Sequence, residues 1–311
     1  HDILQPPHRI DLMYLWGNPL DKYTLKSSLP FPSQRFNING RSVDLDRPVV
    51  LGILNVTPDS FYADSRSMSI DKLVVKADEM VAQGAWALDV GGMSSRPGAS
   101  IISHEEEWSR ISDVLSELQS LRRKVLISLD TLHASTAAKA LDLGWVDIIN
   151  DISGGHYDDA MHKVVAEAKV PYILMDMPGT PKTMQDHLNE SADIVSDVVL
   201  RLERLIEKAH KTGINEVIVD VGFGFGKTLS QNFTLLDSLD KIRERLSYPI
   251  CVGVSRKSMI TKTLSIDSAQ ALNGTTVLHT VALSKGAMML RCHDVRPAVE
   301  AIELMHSLKK K

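Results

Sequence analysis

Residues 49–55 read VVLGILN, an aliphatic run that does not alternate with polar residues and ends in Asn55. A run of this kind is typical of a parallel β-strand that is covered on both faces. Seven similar runs follow along the chain: WALDVGG (86–92), VLISLD (125–130), DIINDI (147–152), PYILMDM (171–177), VIVDVGF (217–223), PICVGVS (249–255) and AMMLRCHD (287–294). The sequence therefore predicts eight strands of one parallel sheet.

The segments between these strands carry helical patterns, among them 70–83, 104–120, 192–211 and 268–284. Eight strand-then-helix units over residues 49–308 have the size and order of an α/β protein built as a (β/α)8 TIM barrel. An open doubly wound sheet is the alternative, because it also alternates strands with helices. The count of eight, with no break in composition that marks a second domain, favours the barrel.

The chain before the first barrel strand divides into two parts. Residues 35–47 are a predicted hairpin with its turn at Asn39-Gly40, a strong two-residue turn signal, and we expect it to close the bottom of the barrel. The residues before it are rich in proline and lack periodicity, which indicates an irregular N-terminal extension. We therefore expect an extension over residues 1–34 and a barrel domain over residues 35–311.

Composition narrows the classes of function. The 311 residues include 35 Lys and Arg against 39 Asp and Glu, and a net charge of −4 gives no basis for non-specific nucleic-acid binding. No stretch approaches 18 apolar residues, and the first residues lack the pattern of a secretory signal. Cys251 and Cys292 fall within predicted strands, which indicates buried thiols in a reducing compartment. We expect a cytoplasmic protein with neither a membrane nor a nucleic-acid partner.

Polar residues close nearly every predicted strand. In a barrel, the carboxyl ends of the strands and the loops after them build the active site. A buried carboxylate costs free energy unless it is paired or hydrogen-bonded, so a full ring of polar side chains indicates a polar ligand. The ring consists of Asn55, Asp89, Asp130, Asn150, Asp151, Asp176, Asp220, Lys257, Arg291 and His293.

The ring contains both signs of charge. Its acidic and amide members suit a flat heterocycle rich in hydrogen-bond donors, whereas its basic members suit an anion. Arg291 and His293 point the same way if they lie on one strand, and Cys292 then points toward the helices. An alternative for Arg291 is an ion pair with Asp220 or Asp294.

Two further patterns concern phosphate and metal binding. The stretch VGFGFGKT (221–228) comes close to a phosphate-binding loop, but that motif requires glycine where Val221 stands. Its glycines fit instead a tight loop whose backbone approaches a ligand. The eleven histidines show no HExxH motif and no Cys/His cluster, which argues against a zinc site. A Mg²⁺ ion held mostly by substrate phosphates would leave almost no trace in the sequence.

Six motifs stand in order at predicted strand ends: NVTPDSF (55–61), SSRPG (94–98), NDISGG (150–155), GFGK (224–227), SRKS (255–258) and RCHDV (291–295). Over residues 36–308 the chain thereby resembles the dihydropteroate synthases, the folate-pathway enzymes that sulfonamides inhibit. The resemblance implies a transferase that condenses 6-hydroxymethyl-7,8-dihydropterin pyrophosphate with p-aminobenzoate and gives 7,8-dihydropteroate and pyrophosphate. It also implies a requirement for Mg²⁺, an SN1-like mechanism in which pyrophosphate leaves first, and a homodimer.

The resemblance implies a role for each residue that matches a family motif. The pterin-binding residues are Asp130, Asn150, Met175, Asp220, Lys257 and Arg291. The pyrophosphate-binding residues are Asn55, Arg291 and His293, and Asn55 is also the ligand of Mg²⁺. The p-aminobenzoate-binding residues are Ser95, Arg96, Pro97, Phe225 and Ser258. The catalytic residues are Thr57, Asp59, Phe61, Arg96 and Lys257, with Asp59 stabilising a pterin cation.

The sequence departs from the family pattern at several positions. The second loop has Met93 and Ser95 where the family usually has Glu and Thr, and Ala63 replaces an aspartate in the first loop. Asp176 stands where the fifth strand commonly has histidine. Met259 replaces the phenylalanine that commonly follows the SRKS motif. Met93 and Ala63 motivate one alternative, a non-catalytic pterin-binding paralogue. The other alternative is a pterin-dependent methyltransferase acting on a corrinoid protein, which has no use for the SRKS, RCHDV or TPDSF motifs.

Overall fold

The structure is a computed structural model that describes residues 34–38, 41–56, 66–96, 98–184 and 193–309. Its strands are β1 (Gln34–Ile38), β2 (Arg41–Leu45), β3 (Val49–Asn55), β4 (Ala87–Gly91), β5 (Leu126–Asp130), β6 (Ile148–Asp151), β7 (Tyr172–Met175), β8 (Val217–Asp220), β9 (Ile250–Val252) and β10 (Met289–Cys292). Its α-helices are α1 (Arg66–Ala82), α2 (His104–Leu118), α3 (Ala134–Asp142), α4 (Met161–Ala168), α5 (Ile194–Lys211), α6 (Leu229–Asp237), α7 (Leu239–Leu246), α8 (Ser258–Leu264), α9 (Leu272–Ser284) and α10 (Val295–Lys309). None of the helices described is long and apolar enough to span a membrane.

Strands β3 to β10 form a closed parallel barrel in the order β10-β3-β4-β5-β6-β7-β8-β9. The ring closes where β10 pairs with β3, with Met289 opposite Val49 and Cys292 opposite Gly52. This closure confirms the predicted TIM barrel and excludes the open sheet. The first barrel strand has the predicted bounds, whereas the others are shorter at one or both ends because part of each apolar run belongs to the adjoining loops.

A hairpin closes the amino end of the barrel, as predicted. Strands β1 and β2 pair antiparallel, and their side chains Phe36, Ile38 and Leu45 are buried among the residues that begin the barrel strands, such as Trp86. Each large apolar side chain buried in this way stabilises the fold by about 1.5–3 kcal/mol, which holds the hairpin against the barrel. The predicted turn at Asn39-Gly40 lies outside the described residues.

Helix α2 shows how local signals place a helix against the barrel. Ser103 caps it, because the Ser103 Oγ accepts a hydrogen bond from the Glu106 backbone N–H at 3.2 Å. Acidic residues in the first turn face the positive end of the helix. Glu107 turns inward and is buried, and its Oε2 accepts a hydrogen bond from Thr131 Oγ1 at 2.7 Å. This bond ties α2 to the loop after β5.

Both cysteines are buried, as predicted. Cys292 packs in the apolar layer between the sheet and the helices, and Cys251 packs inside the lower barrel with the hairpin residues. Burial raises the pKa of Cys292 to about 12, so its thiol stays protonated at neutral pH. Their role is therefore to fill space in the core.

Candidate active site

The floor of the barrel mouth is a hydrogen-bonded network centred on Asp89 and Arg291. Arg291 Nε donates to Asp89 Oδ2 at 2.6 Å, and Arg291 Nη2 donates to Asp130 Oδ2 at 2.6 Å. Asp89 also accepts hydrogen bonds from Asn150 Nδ2 at 2.9 Å and from Ser128 Oγ at 2.6 Å. One cation thus joins two buried carboxylates, each of which would be costly to bury alone.

The alternative in which Arg291 pairs with Asp220 or Asp294 is wrong. Asp294 accepts two hydrogen bonds from Arg256 instead, at 2.9 and 2.7 Å, and Asp220 Oδ1 accepts one from the Gly222 backbone N–H at 2.7 Å. The Arg291 side chain crosses the barrel interior to other strands, because inward-facing side chains of a closed barrel meet near its axis.

Burial and neighbouring charges set the ionisation of the floor. Burial raises the pKa of Asp130 to about 7, against the opposing effect of Arg291, and Asp89 adds to the rise. A carboxyl group with a pKa near neutrality can donate a hydrogen bond as well as accept one. Burial alone would lower the pKa of Arg291, but the Asp89 and Asp130 carboxylates raise it above its ordinary value. The floor therefore offers a fixed cation beside a carboxyl group whose protonation can change.

Asp220 and Lys257 are two further charged side chains of the mouth, and each charge favours the ionised form of the other. Both lie beside Gly253, where an added Cβ would be 3.7 Å from Lys257 Nζ and 3.8 Å from Asp220 Oδ2. Lys257 Nζ donates to the Phe223 carbonyl at 2.6 Å and lies 4.6 Å from the centre of the Phe225 ring. Burial raises the pKa of Asp220 and lowers the pKa of Lys257 to about 8. Asp220 and Lys257 thus approach the same stretch of β9 and its following loop from the barrel interior.

An apolar cluster forms one side of the mouth and contains two predicted site residues, Met175 and Phe225. The buried members are Leu132, Ile152, Met175, Met177, Met184 and Phe225. Met93 and Ile101, from the loop after β4, pack against them. Methionine is flexible and fills irregular gaps, so Met93 serves there as a packing residue where the family usually has a glutamate.

His293 and Asn55 lie at the carboxyl ends of the neighbouring strands β10 and β3. The Ser255 Oγ accepts the His293 backbone N–H at 3.3 Å and lies 3.0 Å from His293 Nδ1. A hydroxyl can donate to Nδ1 or accept from it, so this contact is compatible with either tautomer of the ring. Burial lowers the pKa of His293 to about 4, with Arg291 lowering it further, so the ring is neutral. Asn55 ends β3 and is exposed.

The remaining predicted residues lie in loops or at a helix start. Ser95 and Arg96 lie in the loop after β4, and the Arg96 backbone N–H donates to Ser94 Oγ at 3.4 Å. Ser258 is the first residue of α8, with Lys257 as the N-cap. Four predicted residues lie outside the described part of the chain: Thr57, Asp59, Phe61 and Pro97.

Two members of the predicted ring turn away from the mouth, which corrects the prediction. Asp151 follows the inward-facing Asn150 and accepts a hydrogen bond from the buried Tyr172 hydroxyl at 2.6 Å, on the side of the helices. Asp176 follows the inward-facing Met175 and also faces the helices. Successive strand residues point to opposite faces, so two neighbours cannot both face the ligand.

Asp89 belongs to the predicted polar ring without a specific role, and no role was predicted for Lys227 or Arg201. On β4, Asp89 shares a face with Ala87 and Gly91, whereas the apolar Leu88 and Val90 pack in the layer next to the helices, so alternation places Asp89 in the barrel interior. Lys227 and Arg201 bind Asp176 from two different elements. Nothing local in the sequence indicates that pairing.

The described residues contain no group of three or more His, Cys, Asp and Glu side chains that could hold a metal ion. Mg²⁺ keeps several waters and needs only one or two protein ligands when substrate phosphates supply the rest. The amide oxygen of Asn55 is a hard ligand at the carboxyl end of β3, so this residue fits a Mg²⁺ ion that is bound mainly by a phosphate substrate.

Comparison with known proteins agrees with this geometry. The sequence profile of the family described as pterin binding enzyme matches residues 51–293. The chain is 37% identical over 270 residues to a dihydropteroate synthase of Neisseria meningitidis serogroup C, across 86% of this chain and 94% of that protein. Its fold is similar to the crystal structure of Yersinia pestis dihydropteroate synthase with a sulfonamide drug complex, with a TM-score of 0.82 and 34% identity over 89% of this chain and 100% of that one. It is also similar to Xanthomonas albilineans dihydropteroate synthase with 4-aminobenzoic acid, with a TM-score of 0.81 and 33% identity over 90% of this chain and 100% of that one.

Proposed function

The chain belongs to the dihydropteroate synthases, pterin-binding transferases of folate biosynthesis, and from this premise we propose how its barrel mouth carries out the reaction. The observation that supports the proposal most is the junction of Arg291 with Asp89 and Asp130, next to Asp220 and Lys257. This arrangement offers acceptors for the N–H groups of a pterin and positive charge for a pyrophosphate in one pocket.

The pterin pyrophosphate binds with its ring on the floor. Asp130, Asn150 and Asp220 accept hydrogen bonds from the ring, and Met175 and Lys257 pack against it. The Asp220 carboxylate can take two donors from the guanidine-like edge of the pterin at once, which is a charge-assisted fork if the ring carries positive charge. The Gly222 backbone N–H holds Asp220 in place for this contact.

The pyrophosphate lies toward Arg291, His293 and Asn55. Arg291 supplies permanent positive charge to the pyrophosphate and also contacts the pterin. His293 donates a hydrogen bond to the pyrophosphate from Nε2 as a neutral group. A Mg²⁺ ion, when bound at Asn55, neutralises charge on the departing pyrophosphate. The C–O bond breaks with its electron pair going to pyrophosphate, and the pterin methylene carbon becomes cationic. The protein groups stabilise the charge that develops, and no protein group has to transfer a proton in this step.

p-Aminobenzoate binds above the pterin. Ser95, Arg96 and Phe225 form its pocket, and the hydroxyl and backbone N–H of Ser258 bind its carboxylate. The uncharged amine attacks the methylene carbon, a C–N bond forms, and the proton of the amine passes to solvent. Four further residues complete the pocket in this proposal, and their support is the sequence resemblance: Thr57, Asp59, Phe61 and Pro97. Asp59 lies beside the cation. Arg96 and Lys257 are the other members of the catalytic set.

Turnover is expected to decline at alkaline pH as Lys257 loses its charge. Burial lowers the pKa of Lys257 to about 8, so the ammonium is present below that pH and is lost above it. A neutral amine no longer attracts an anionic substrate, and kcat/KM for the pterin pyrophosphate should fall about tenfold between about pH 7 and about pH 9. Lys257→Arg keeps its charge and should lose this decline even if its basal rate is lower. A decline that persists in Lys257→Arg would assign the titration to another group.

The reaction itself is tested by incubating the protein with the pterin pyrophosphate, p-aminobenzoate and Mg²⁺ and measuring both products. We expect dihydropteroate and pyrophosphate in equal amounts, which would show that Met93 and Ala63 are compatible with turnover. Pyrophosphate alone would mean that the second-substrate pocket does not work. Neither product, with pterin binding retained, would favour the non-catalytic paralogue, and methyl transfer from methyl-tetrahydrofolate to a corrinoid protein would favour the methyltransferase.

We further propose that the enzyme is a homodimer, as the resemblance implies. Helices α9 and α10 pack on each other and expose Val277, Leu304 and Leu308 to solvent, with 52%, 69% and 68% of their surfaces accessible. Exposed apolar side chains on two neighbouring helices are where a second copy would be expected to bind.

A further inference from the structure

Asp176, Arg201 and Lys227 form a cluster of charges behind the mouth, which we term the outer triad. The Lys227 side chain has no exposed surface and that of Asp176 is 2% exposed, and Lys227 Nζ lies 2.9 Å from Asp176 Oδ2. Arg201 binds both oxygens of the same carboxylate, through Nε at 2.6 Å and Nη2 at 2.9 Å. Buried charges are tolerated when they are paired and hydrogen-bonded, as these are. The proposed reaction uses none of the three.

Lys227 joins two loops that follow neighbouring strands. Its Nζ lies within hydrogen-bond distance of the carbonyl oxygens of Asp176 at 3.0 Å, Gly222 at 3.0 Å and Phe225 at 3.1 Å. Asp176 belongs to the segment after β7, whereas Gly222 and Phe225 belong to the segment after β8. The ammonium is therefore bound by the backbone of both segments as well as by the Asp176 carboxylate.

The backbone geometry shows how close these two segments lie. Gly222 has a φ of +69°, and a Cβ at this position would be 2.0 Å from the Asp176 carbonyl oxygen. Gly226 has a φ of +57°, and a Cβ there would be 2.5 Å from Pro178 Cγ. Glycine is the residue that allows such contact. The glycines of VGFGFGKT thus serve to seat the loop after β8 against the segment after β7.

The loop held in this way carries one wall of the mouth. Phe225 is 7% exposed and packs in the apolar cluster, with the Lys257 ammonium 4.6 Å from its ring centre. Lys257 Nζ also donates to the Phe223 carbonyl. A shift of the loop would move the Phe225 ring together with the Phe223 carbonyl that accepts the hydrogen bond of Lys257.

We propose that Lys227, with Asp176 and Arg201, is a positioning residue that fixes Phe225 as the wall of the p-aminobenzoate pocket. This inference rests on the proposed function, because that function places the second substrate against Phe225. The outer triad touches no substrate in this arrangement. The outer triad affects the reaction through the position of the loop after β8. It should therefore change the binding of p-aminobenzoate more than the binding of the pterin.

Lys227→Met is the variant that tests the proposal. Methionine keeps the unbranched shape of the side chain without the ammonium group, and Asp176 remains paired with Arg201, so the barrel should still fold. We expect KM for p-aminobenzoate to rise about tenfold, with the Kd of the pterin pyrophosphate changed less than about threefold. We also expect backbone amides of residues 222–228 to exchange with solvent at least about tenfold faster in hydrogen–deuterium exchange.

Lys208→Met is the matched control, since Lys208 is a half-exposed lysine on α5 that also donates to a backbone carbonyl, that of Gly155 at 3.3 Å. It should leave both measurements unchanged. If Lys227→Met does not fold, Arg201→Met takes its place, because it leaves the Lys227–Asp176 contact intact. A rise in KM of about threefold is then expected, in the same direction.

The proposal is overturned if a folded variant of the outer triad shows wild-type amide exchange and a wild-type KM for p-aminobenzoate. It is also overturned if pterin affinity falls as much as KM rises, because that result indicates support of the whole mouth. Failure of the proposed function is a separate result. In that case the wild-type protein makes no dihydropteroate, and the exchange experiment still reports whether Lys227 holds the loop.

Discussion

Asp220→Ala is expected to abolish pterin binding and to leave the fold intact. The carboxylate lies at the end of β8 beside Lys257, and a hydrogen bond to a charged group contributes roughly 1.5–3 kcal/mol. Losing two such bonds corresponds to a loss of affinity of more than about 100-fold. The fold should survive, because the substitution removes a group that burial already makes costly to ionise, as its raised pKa shows.

Isothermal titration calorimetry with the pterin pyrophosphate measures this loss, and circular dichroism checks the fold. Asp220→Asn keeps the shape without the charge and should retain more affinity than Asp220→Ala. Asp237→Ala removes a largely exposed aspartate on α6 and should bind the pterin as the wild type does. Pterin binding that persists in folded Asp220→Ala would contradict the placement of the ring on the floor.

Arg291→Met is expected to reduce both turnover and stability more than any other single change in the mouth. It leaves Asp89 and Asp130 buried without the cation that joins them, and removing one partner of a buried charge pair costs about 3–5 kcal/mol. It also removes the positive charge proposed to stabilise the departing pyrophosphate, so kcat should fall by about 1000-fold or more. Arg291→Lys should recover part of the stability, because one ammonium cannot reach both carboxylates as the guanidinium does.

The pH dependence of the free energy of unfolding distinguishes the loss of the Arg291 charge from the loss of its packing. Arg291 lowers the pKa of Asp130, so its removal lets that pKa rise further above the value in the unfolded chain. The folded state then binds more protons than the unfolded state near neutrality, and the free energy of unfolding falls as the pH rises. The destabilisation of Arg291→Met relative to wild type should therefore be larger at about pH 8 than at about pH 5.

Chemical denaturation at the two pH values measures that difference. Arg245→Met is a suitable control, because Arg245 binds a carboxylate, that of Glu203, through the same two nitrogens, Nε and Nη2, on the exposed surface. Its cost should stay under about 1 kcal/mol at either pH. An equally large cost at both pH values in Arg291→Met would mean that the two carboxylates do not depend on the arginine charge.

The barrel could be predicted from sequence because its signals are local. Each strand is a short aliphatic run, and the eight runs recur at spacings that admit at least one helix each. The starts of helices also carry local signals, such as the acidic first turn of α2 and the Ser103 residue that caps it. Most of the mouth was also predictable, because residues such as Asp130 and Asp220 end their strands and strand ends meet in one place.

Side-chain partners could not be predicted, because they depend on the stagger between strands that are far apart in sequence. Arg291 and Asp89 are 202 residues apart, and nothing in either stretch favours Asp89 over Asp294 as the partner. The direction of Asp151 and Asp176 differs from the prediction for another reason. The predicted ring has every polar residue at a strand end face the ligand, whereas alternation sends one of each adjacent pair to the helices.

The hairpin that closes the amino end of the barrel has a consequence for the order of events. With β1 and β2 packed beneath the first residues of the barrel strands, ligands reach the floor from the carboxyl end. The pterin site is the deeper of the two proposed sites, so p-aminobenzoate arriving first would stand in the path of the pterin. Both substrates and the product therefore share one entrance. A product that dissociates slowly delays the next turnover, because it blocks this entrance as well as occupying the site.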